Sequence, residues 1–321
     1  MFTILTTIVV ALSLVIGTHG HGYVHELEIG GKSYTGFLPF SDPWASPVPE
    51  RVIRKIPNDG PILDIHDPNL ACNVGGNKGT KVIAKAAAGS KVTFKWEQWP
   101  TEHYGPVSVY MTSCNGDCSK FNPSGAKWFK VDAQGYDSKN KKWASTKLIE
   151  DNVSWTSTIP SALAPGQYLI RHEIIALHDV NAPQFYPSCA QVEITGNGNR
   201  APAPENLVSI PGLYNNVKFP NIWDPFGTFA APGPAPAFTG GDKATPSPVK
   251  EDPVPASSSK VSSTRAANST PTTKSPSVAA APNAAPNKSS SSAPPSATGK
   301  CRSRKARRAL RRHASLAKRF H

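Results

Sequence analysis

The sequence has little of the features that mark several common protein classes. Only 5 of its 321 residues are cysteine, too few for a small disulfide-dense scaffold. Apart from an apolar run from Ile4 to Ile16, no stretch approaches the ~20 apolar residues that cross a bilayer. No long amphipathic helical period runs through the chain either. These absences argue against a disulfide miniprotein, a protein built on membrane spans and a mainly helical fold.

The excess of positive charge is confined to one end of the chain. Lys and Arg number 35 against 22 Asp and Glu, a net charge of +13. Residues 1–240 hold 19 of each sign, whereas residues 241–321 hold 16 basic and 3 acidic side chains. The part of the chain predicted to fold therefore has no net field to attract a polyanion, so nucleic acid is not a predicted partner.

Residues 1–20 are predicted to be a cleaved secretory signal peptide. The Ile4–Ile16 run has the length of a signal core, and Thr18 and Gly20 place small residues at positions −3 and −1 of a cut after Gly20. This predicts a secreted, extracellular protein in which disulfides form. The cut makes His21 the first mature residue, with an α-amine of pKa near 8 and an imidazole as two nitrogen ligands. A cut after Thr18 would place His19 first instead.

Residues 21–230 are predicted to form one β-sandwich domain. Short runs rich in β-branched and aromatic residues alternate with Asn-Gly, Pro-Gly and Asp/Ser-rich turns. Such a series over ~200 residues is typical of a sandwich. The stretches at 36–72 and 196–230 are predicted as long, functional loops. The predicted strands lie at 91–99, 106–114, 166–177 and 191–195.

The remaining residues are predicted not to join the fold. Residues 231–300 are rich in Pro, Ala, Ser and Thr and cannot bury enough apolar surface to offset their ordering entropy, which predicts a disordered linker. Residues 301–321 carry nine Lys or Arg and no acid. They are either a solvated tail or an anchor to an anionic cell-wall or membrane surface. Candidate N-glycosylation sites are Asn152 in the domain and Asn268 and Asn287 in the linker.

Four cysteines lie in the domain and one in the tail. Cys114 and Cys118 flank an Asn-Gly turn pair and can close a local disulfide, which leaves Cys72–Cys189 as a long-range bridge. A loop of ~117 residues closed in this way stabilises the fold by roughly 4–5 kcal/mol in the chain-entropy model. A zinc site is disfavoured because the chain is predicted to be secreted and has no CxxC pairs. Cys301 has no predicted partner in the chain.

Three sequence words surround the histidines of the domain. They are HGYVHELEIGGKSYTGF (21–37), WEQWPTEHYGPVSVYMTSCNGDC (96–118) and RHEIIALHDVNAPQFYPSC (171–189). Together, and in this order, they closely resemble the fungal lytic polysaccharide monooxygenases of auxiliary activity family nine over roughly residues 21–225. The resemblance implies an immunoglobulin-like, fibronectin-type β-sandwich with a flat face bearing one copper ion.

The resemblance also assigns roles by matching position. His21 would supply its α-amine and one imidazole nitrogen, and His103 a third nitrogen, forming a histidine brace. Tyr186 would place its hydroxyl at a distant axial position. His178 and Gln184 would position and polarise the oxygen species. The donor chemistry agrees, because three nitrogens in a plane suit copper rather than the tetrahedral geometry of structural zinc. His172 is interpreted as structural.

The implied activity is oxidative cleavage of β-1,4-glucan chains, cellulose or a hemicellulose, at C1, C4 or both. Oxygen or hydrogen peroxide would be the co-substrate, and cellobiose dehydrogenase or small phenols the electron donor, for a protein expected to be a monomer. Tyr214 matches a position where relatives often show an aromatic ring on the flat face, which can stack on a sugar. Trp223 and Tyr23 are weaker candidates for the same contact.

Two other functions are alternatives to this one. One is a secreted copper-binding protein without polysaccharide cleavage, which would have no need of the oxygen-positioning Gln184. The other is a structural wall protein whose sandwich only displays the tail. A glycoside hydrolase is disfavoured, since no pair of Asp or Glu residues stands at a readable acid/base spacing.

Overall fold

A computed structural model of the protein describes residues 20–238. The predicted signal peptide, except for Gly20, lies outside the described residues. So do the linker after residue 238 and the basic tail, with Asn268, Asn287 and Cys301. Within residues 20–238 no helix is long and apolar enough to cross a membrane.

The domain is a β-sandwich of a four-stranded and a six-stranded sheet, which confirms the predicted fold class. The strand orders are β2-β1-β4-β9 and β12-β6-β5-β10-β11-β3, and a small hairpin pairs β7 with β8. All pairings are antiparallel except that of β3 with β11. The strands are β1 Val24–Ile29, β2 Lys32–Thr35, β3 Ala84–Ala87, β4 Lys91–Trp96, β5 Val107–Ser113, β6 Lys127–Gln134, β7 Tyr136–Asp137, β8 Lys142–Trp143, β9 Ser154–Thr158, β10 Gly166–Ala176, β11 Gln184–Thr195 and β12 Leu207–Ser209.

The hydrophobic pattern explains which strands lie at the centre. In β4 the alternating Val92, Phe94 and Trp96 are buried between the sheets, while the residues between them face outward. By contrast, β10 and β11 are buried along almost their whole length. Both strands are covered on both faces, by the core on one side and by the long loops on the other. This double burial also encloses polar side chains of the two strands, among them Arg171, His172 and Glu173.

Helical structure is limited, as the sequence predicts, but one short α-helix was not predicted. The helix α1 spans Ala144–Glu150 and buries Ala144 and Leu148 against the sandwich. Two turns are too short to display a 3.6-residue period in the sequence. Four 3₁₀ helices lie in the loops, at Asp42–Trp44, Pro68–Ala71, Cys118–Lys120 and Pro204–Asn206.

Both predicted disulfides are present. Cys72 is bonded to Cys189 and Cys114 to Cys118. The first joins the end of a 3₁₀ helix in the 36–72 loop region to the middle of β11, across 117 residues of sequence. The second closes the turn that follows β5. The first therefore holds a loop against a strand of the six-stranded sheet, and the second closes a local loop.

The predicted boundary between domain and linker at residue 231 is wrong. Ala231 and Ala237 are buried, and the nitrogen of Ala237 donates to the carbonyl of Lys130 at 2.8 Å. The Tyr110 hydroxyl donates to the Pro232 carbonyl at 2.7 Å. The Lys130 ammonium donates to the Ala231 carbonyl at 3.2 Å. Residues 231–238 thus form a strap, which is hydrogen-bonded to Tyr110 of β5 and Lys130 of β6. The Pro/Ala composition did not predict these contacts. They are made by backbone groups of residues 231–238 and by partners that lie far away in the sequence.

Candidate metal centre

The site residues converge at one end of the sandwich. β1 begins beside the end of β4, because Val24 pairs with Trp96, so His21 lies next to the loop that follows β4. That loop carries His103 and leads into β5. At the same end β10 turns into β11, where Ala176 pairs with Gln184. Three segments distant in sequence therefore meet around one point.

His21 and His103 present their imidazoles to each other. The ring centroids are 5.8 Å apart and the planes are inclined by 74°. The His21 carbonyl accepts from Gln98 Nε2 at 2.7 Å. This close approach requires a glycine beside His21, since a Cβ on Gly22 would lie 2.0 Å from the Gln98 carbonyl oxygen. The two half-buried rings are held by backbone contacts rather than by a carboxylate.

The backbone around His103 explains the H-x-G-P-V word. A Cβ on Gly105 would lie 1.7 Å from the carbonyl oxygen of Ile175, so only glycine lets this loop pack on β10. The nitrogen of Leu177 donates to the Tyr104 carbonyl at 2.8 Å. Trp99 Nε1 donates to the His103 carbonyl at 3.0 Å. The loop that carries His103 is thus held by hydrogen bonds to the carbonyls of His103 and Tyr104.

The imidazole of His103 is in the protonation state that a metal ligand requires. Burial, with repulsion from His178 and His21, lowers its pKa to about 4, so its imidazole is neutral at physiological pH. Its Nδ1 is buried and has no hydrogen-bond partner within the described part of the chain. No group of three or more His, Cys, Asp or Glu side chains among residues 20–238 is arranged to hold a metal ion. A histidine brace would need only the side chains of His21 and His103, because its third ligand would be the α-amine of a mature His21. In the full-length chain that backbone nitrogen is an amide.

Tyr186 lies close to His21 and Trp99. Its ring is 6.0 Å from that of His21 and 4.9 Å from that of Trp99, and the residue is 3% exposed. Burial, with the charges of Asp59 and Asp179, raises its pKa well above the ordinary value for tyrosine. The side chain is therefore a neutral phenol. A neutral hydroxyl oxygen would be a weaker donor to a metal than phenolate.

Gln184 joins Tyr186 to a carboxylate. The Tyr186 hydroxyl donates to Gln184 Oε1 at 2.7 Å, and Gln184 Nε2 donates to Asp179 Oδ2 at 2.9 Å. The amide is 9% exposed, and these two bonds fix which of its ends faces the phenol. Asp179 was not identified from the sequence. Its side chain comes to the site through the tight turn between β10 and β11, which sequence spacing alone does not reveal.

His178 lies at the start of the same turn and stacks on His103. The ring centroids are 3.8 Å apart and the planes inclined by 24°. The His178 Nε2 is 3.8 Å from Asp179 Oδ2. Its carbonyl accepts from Trp223 Nε1 at 2.9 Å. The structure thus places all five predicted site residues, His21, His103, His178, Gln184 and Tyr186, in one contiguous group.

The other histidine of the third word is structural, as interpreted from the sequence. His172 is fully buried, its Nε2 accepts from Trp96 Nε1 at 2.9 Å, and its ring stacks on Phe94 at 4.6 Å. Burial, with the charge of Arg171, lowers its pKa to about 3. His172 lies in the core between the sheets and does not face the site.

The prediction that Tyr214 binds substrate is wrong. Tyr214 is 1% exposed and its hydroxyl donates to Glu173 Oε2 at 2.6 Å. Glu173 is in turn paired with the fully buried Arg171. A ring in this position secures the C-terminal loop to β10 and cannot reach a sugar. The exposed aromatic residue of this loop is Trp223, at 57% exposure, which the sequence ranked lower.

The candidate glycosylation site of the domain is accessible. Asn152 is exposed in the turn between α1 and β9, with a φ of 58°. The hydroxyl of Ser154, the third residue of the sequon, donates to the Asn152 carbonyl at 3.0 Å. Asn152 therefore remains a candidate for N-glycosylation.

Comparison with known proteins gives a consistent result. Residues 21–226 match the family model described as Auxiliary Activity family 9 (formerly GH61). Lytic polysaccharide monooxygenase A of Gloeophyllum trabeum is 44% identical over 72% of this chain and 77% of its own length. The B enzyme of the same fungus is 41% identical over 73% and 98%. A crystal structure described as a cellulose-active polysaccharide monooxygenase from M. thermophila is 39% identical, with a TM-score of 0.60, over 70% of this chain and all of that one.

Proposed function

Because the chain belongs to Auxiliary Activity family 9, the family of the lytic polysaccharide monooxygenases, we propose that it is a secreted, copper-dependent enzyme that oxidatively cleaves β-1,4-glucan. The family match begins at His21, which supports removal of residues 1–20 and a mature chain that starts with this histidine. The proposed substrate is cellulose or a related β-glucan, cut at C1 or C4 with O2 or H2O2 and an external electron donor.

One observation carries the proposal. The imidazole rings of His21 and His103 lie 5.8 Å apart, and the ring of the buried Tyr186 lies 6.0 Å from that of His21. With the α-amine of a mature His21, this is a set of three neutral nitrogens, which suits copper in a planar arrangement. Copper bound there would supply the change of valence through which oxygen is activated.

The protein side chains set the conditions around these ligands. His103 stays neutral and available because burial holds its pKa near 4. Tyr186 keeps its proton because burial raises its pKa, so it would offer copper only a neutral hydroxyl oxygen. Gln184 Oε1 accepts the hydrogen bond from the Tyr186 hydroxyl, and Gln184 Nε2 donates to Asp179, so the orientation of the amide is fixed. A polar group held in a fixed orientation beside the reacting atoms can stabilise developing charge.

Exposed aromatic rings flank the site on two sides. On the His178 side, Trp223 lies edge-on to Tyr104 at 6.3 Å. On the His21 side, Tyr23 lies edge-on to Phe40, which is 56% exposed. Aromatic faces stack on the apolar faces of pyranose rings, and an extended chain of sugars can contact both. This arrangement favours an extended polysaccharide over a compact ligand.

Product analysis tests the proposal. Mature protein beginning at His21 is loaded with one copper and incubated with cellulose and ascorbate, and soluble products are analysed by mass spectrometry. We expect oligosaccharides that carry oxidation at C1 or C4. Protein treated with a chelator and the His103→Ala variant should release none. Copper binding without oxidised products from any β-glucan would favour a copper-binding protein without cleavage activity.

A further inference from the structure

Trp223 is presented by a small, well-defined turn in the C-terminal loop. The side chain of Asn221 accepts from the nitrogen of Trp223 at 3.1 Å and donates to Asp224 Oδ2 at 2.6 Å. The neighbours Ile222 and Phe226 pack against the buried cluster beneath. With these inward anchors, the Trp223 side chain is directed outward and is 57% exposed.

The exposed indole is nevertheless fixed. Trp223 Nε1 donates to the carbonyl of His178 at 2.9 Å, across 45 residues of sequence. The ring also meets Tyr104 edge-on at 6.3 Å. Water could satisfy an indole N–H at such a surface, so stacking on sugar alone does not call for this bond. The bond links the loop that offers the ring to the turn that carries His178.

The bonds that place His178 are made by its backbone and by its neighbours in the chain. The nitrogen of Leu177 donates to the Tyr104 carbonyl, and Asp179 accepts from Ala182 on its carbonyl and from Gln184 on its carboxylate. The His178 Nδ1 is buried and has no hydrogen-bond partner among residues 20–238. The stack of its ring on His103 at 3.8 Å is thus held by backbone placement rather than by bonds to the imidazole itself.

We propose that Trp223 is a positioning residue: its Nε1–H···O=C bond to His178 sets the stack of His178 on His103, and the same indole is the surface on which a β-glucan lies. The part that concerns glucan rests on the proposed function. A sugar over the indole excludes water from the bond to His178, and hydrogen bonds strengthen where water is excluded. Binding of the polysaccharide and ordering of His178 are therefore coupled through one side chain.

Two substitutions separate the two roles. Trp223→Phe keeps an aromatic face and removes the N–H, whereas Trp223→Ala removes both. The control is Trp44→Phe, since Trp44 is 85% exposed and lies in a different loop. All variants are made in the full mature chain from His21. The first readout is the imidazole and backbone amide NMR signals of His178 in copper-free protein. The second is the division of the kinetic effect between kcat and KM on a soluble cello-oligosaccharide.

We expect both Trp223 variants, and not Trp44→Phe, to move the His178 signals. Trp223→Phe should lower kcat about threefold or more and leave KM within about twofold, because the ring still stacks. Trp223→Ala should also raise KM by about tenfold, the size of a lost aromatic contact of about 1.4 kcal/mol. A urea unfolding curve for each variant establishes that the fold is retained.

Three outcomes would be decisive. Unchanged His178 signals in Trp223→Phe would overturn the positioning role. A raised KM in Trp223→Phe with an unchanged kcat would overturn it too, leaving Trp223 as a stacking surface alone. If the wild-type protein releases no oxidised product while the His178 signals move in both Trp223 variants, the positioning role stands and the proposed function fails.

Discussion

The imidazole rings of His103 and His178 stack with their centroids 3.8 Å apart, although the residues belong to different loops. The stack has an electrostatic consequence, because burial and then His178 are the leading causes that lower the pKa of His103 to about 4. Neutral imidazole is the form that binds a metal. The fold therefore keeps the His103 imidazole neutral, and thus able to bind a metal, before any metal is present.

Removing the His103 imidazole should abolish tight copper binding. We expect His103→Ala to weaken binding by more than about 100-fold, beyond the loss typical of residues that only support a ligand. Tyr186→Phe should keep copper and change the rate, since a distant axial oxygen contributes little to affinity. Isothermal titration with copper measures both. His66→Ala, a change of an exposed histidine, is the control. Wild-type affinity in His103→Ala would exclude the brace.

Gln184→Ala should lower turnover about tenfold or more with little change in copper affinity. The amide is held by the Tyr186 hydroxyl on Oε1 and by Asp179 on Nε2, and loss of a preorganised polar group costs up to about 2.7–4 kcal/mol of transition-state stabilisation. Initial rates of product release measure this effect. Asp179→Asn, which retains an acceptor for Gln184 Nε2, should have a smaller effect. Equal rates in wild type and Gln184→Ala would show that the amide does not act on the reaction.

His172 should make the fold sensitive to acid. Its folded pKa is about 3, whereas an unfolded histidine has a pKa near 6.5. Between these values the unfolded chain binds a proton that the folded chain does not, so stability falls as the pH falls. We expect a loss of up to about 1.4 kcal/mol per pH unit between pH 6 and 4 relative to His172→Gln. Urea unfolding at several pH values measures the difference, and parallel curves would refute it.

The strap of residues 231–238 should be part of the stable domain. A chain ending at Ala230 loses the carbonyl partners of the buried Tyr110 hydroxyl and Lys130 ammonium. Each unpaired buried group costs about 1–3 kcal/mol, so we expect a loss of about 2 kcal/mol or more against a chain ending at Phe238. Thermal and urea unfolding compare the two. Identical unfolding free energies would mean that the strap contributes nothing to the fold.

The sequence was informative where chemistry is local. The words around His21, His103 and His178, and the Gln-Phe-Tyr run, identify the residues that the structure groups together. The strands β4, β5 and β10, the second half of β11 and both disulfides followed from alternation and from turn chemistry. These signals are short-range, so they survive without knowledge of the tertiary fold.

The sequence was less informative where burial decides the role. Tyr214 and Trp223 lie in one loop and both are aromatic, yet one is 1% and the other 57% exposed. The difference arises from Glu173 on β10, which pairs with Tyr214 across 41 residues. Asp179 and the 231–238 strap escaped prediction for the same reason, since their partners come from distant strands. Pairwise contacts of this range are a property of the folded chain.

The most direct test of the account concerns the nitrogen of His21. Copper affinity is compared by isothermal titration for protein that begins at His21 and protein that begins at Gly20. Gly20 is exposed and has open space around it, so the extra residue does not disturb the fold sterically. The histidine brace predicts one tightly bound copper per chain for the first and an affinity more than about 100-fold weaker for the second, whose His21 nitrogen is an amide. Equal affinity in the two proteins would contradict the central claim.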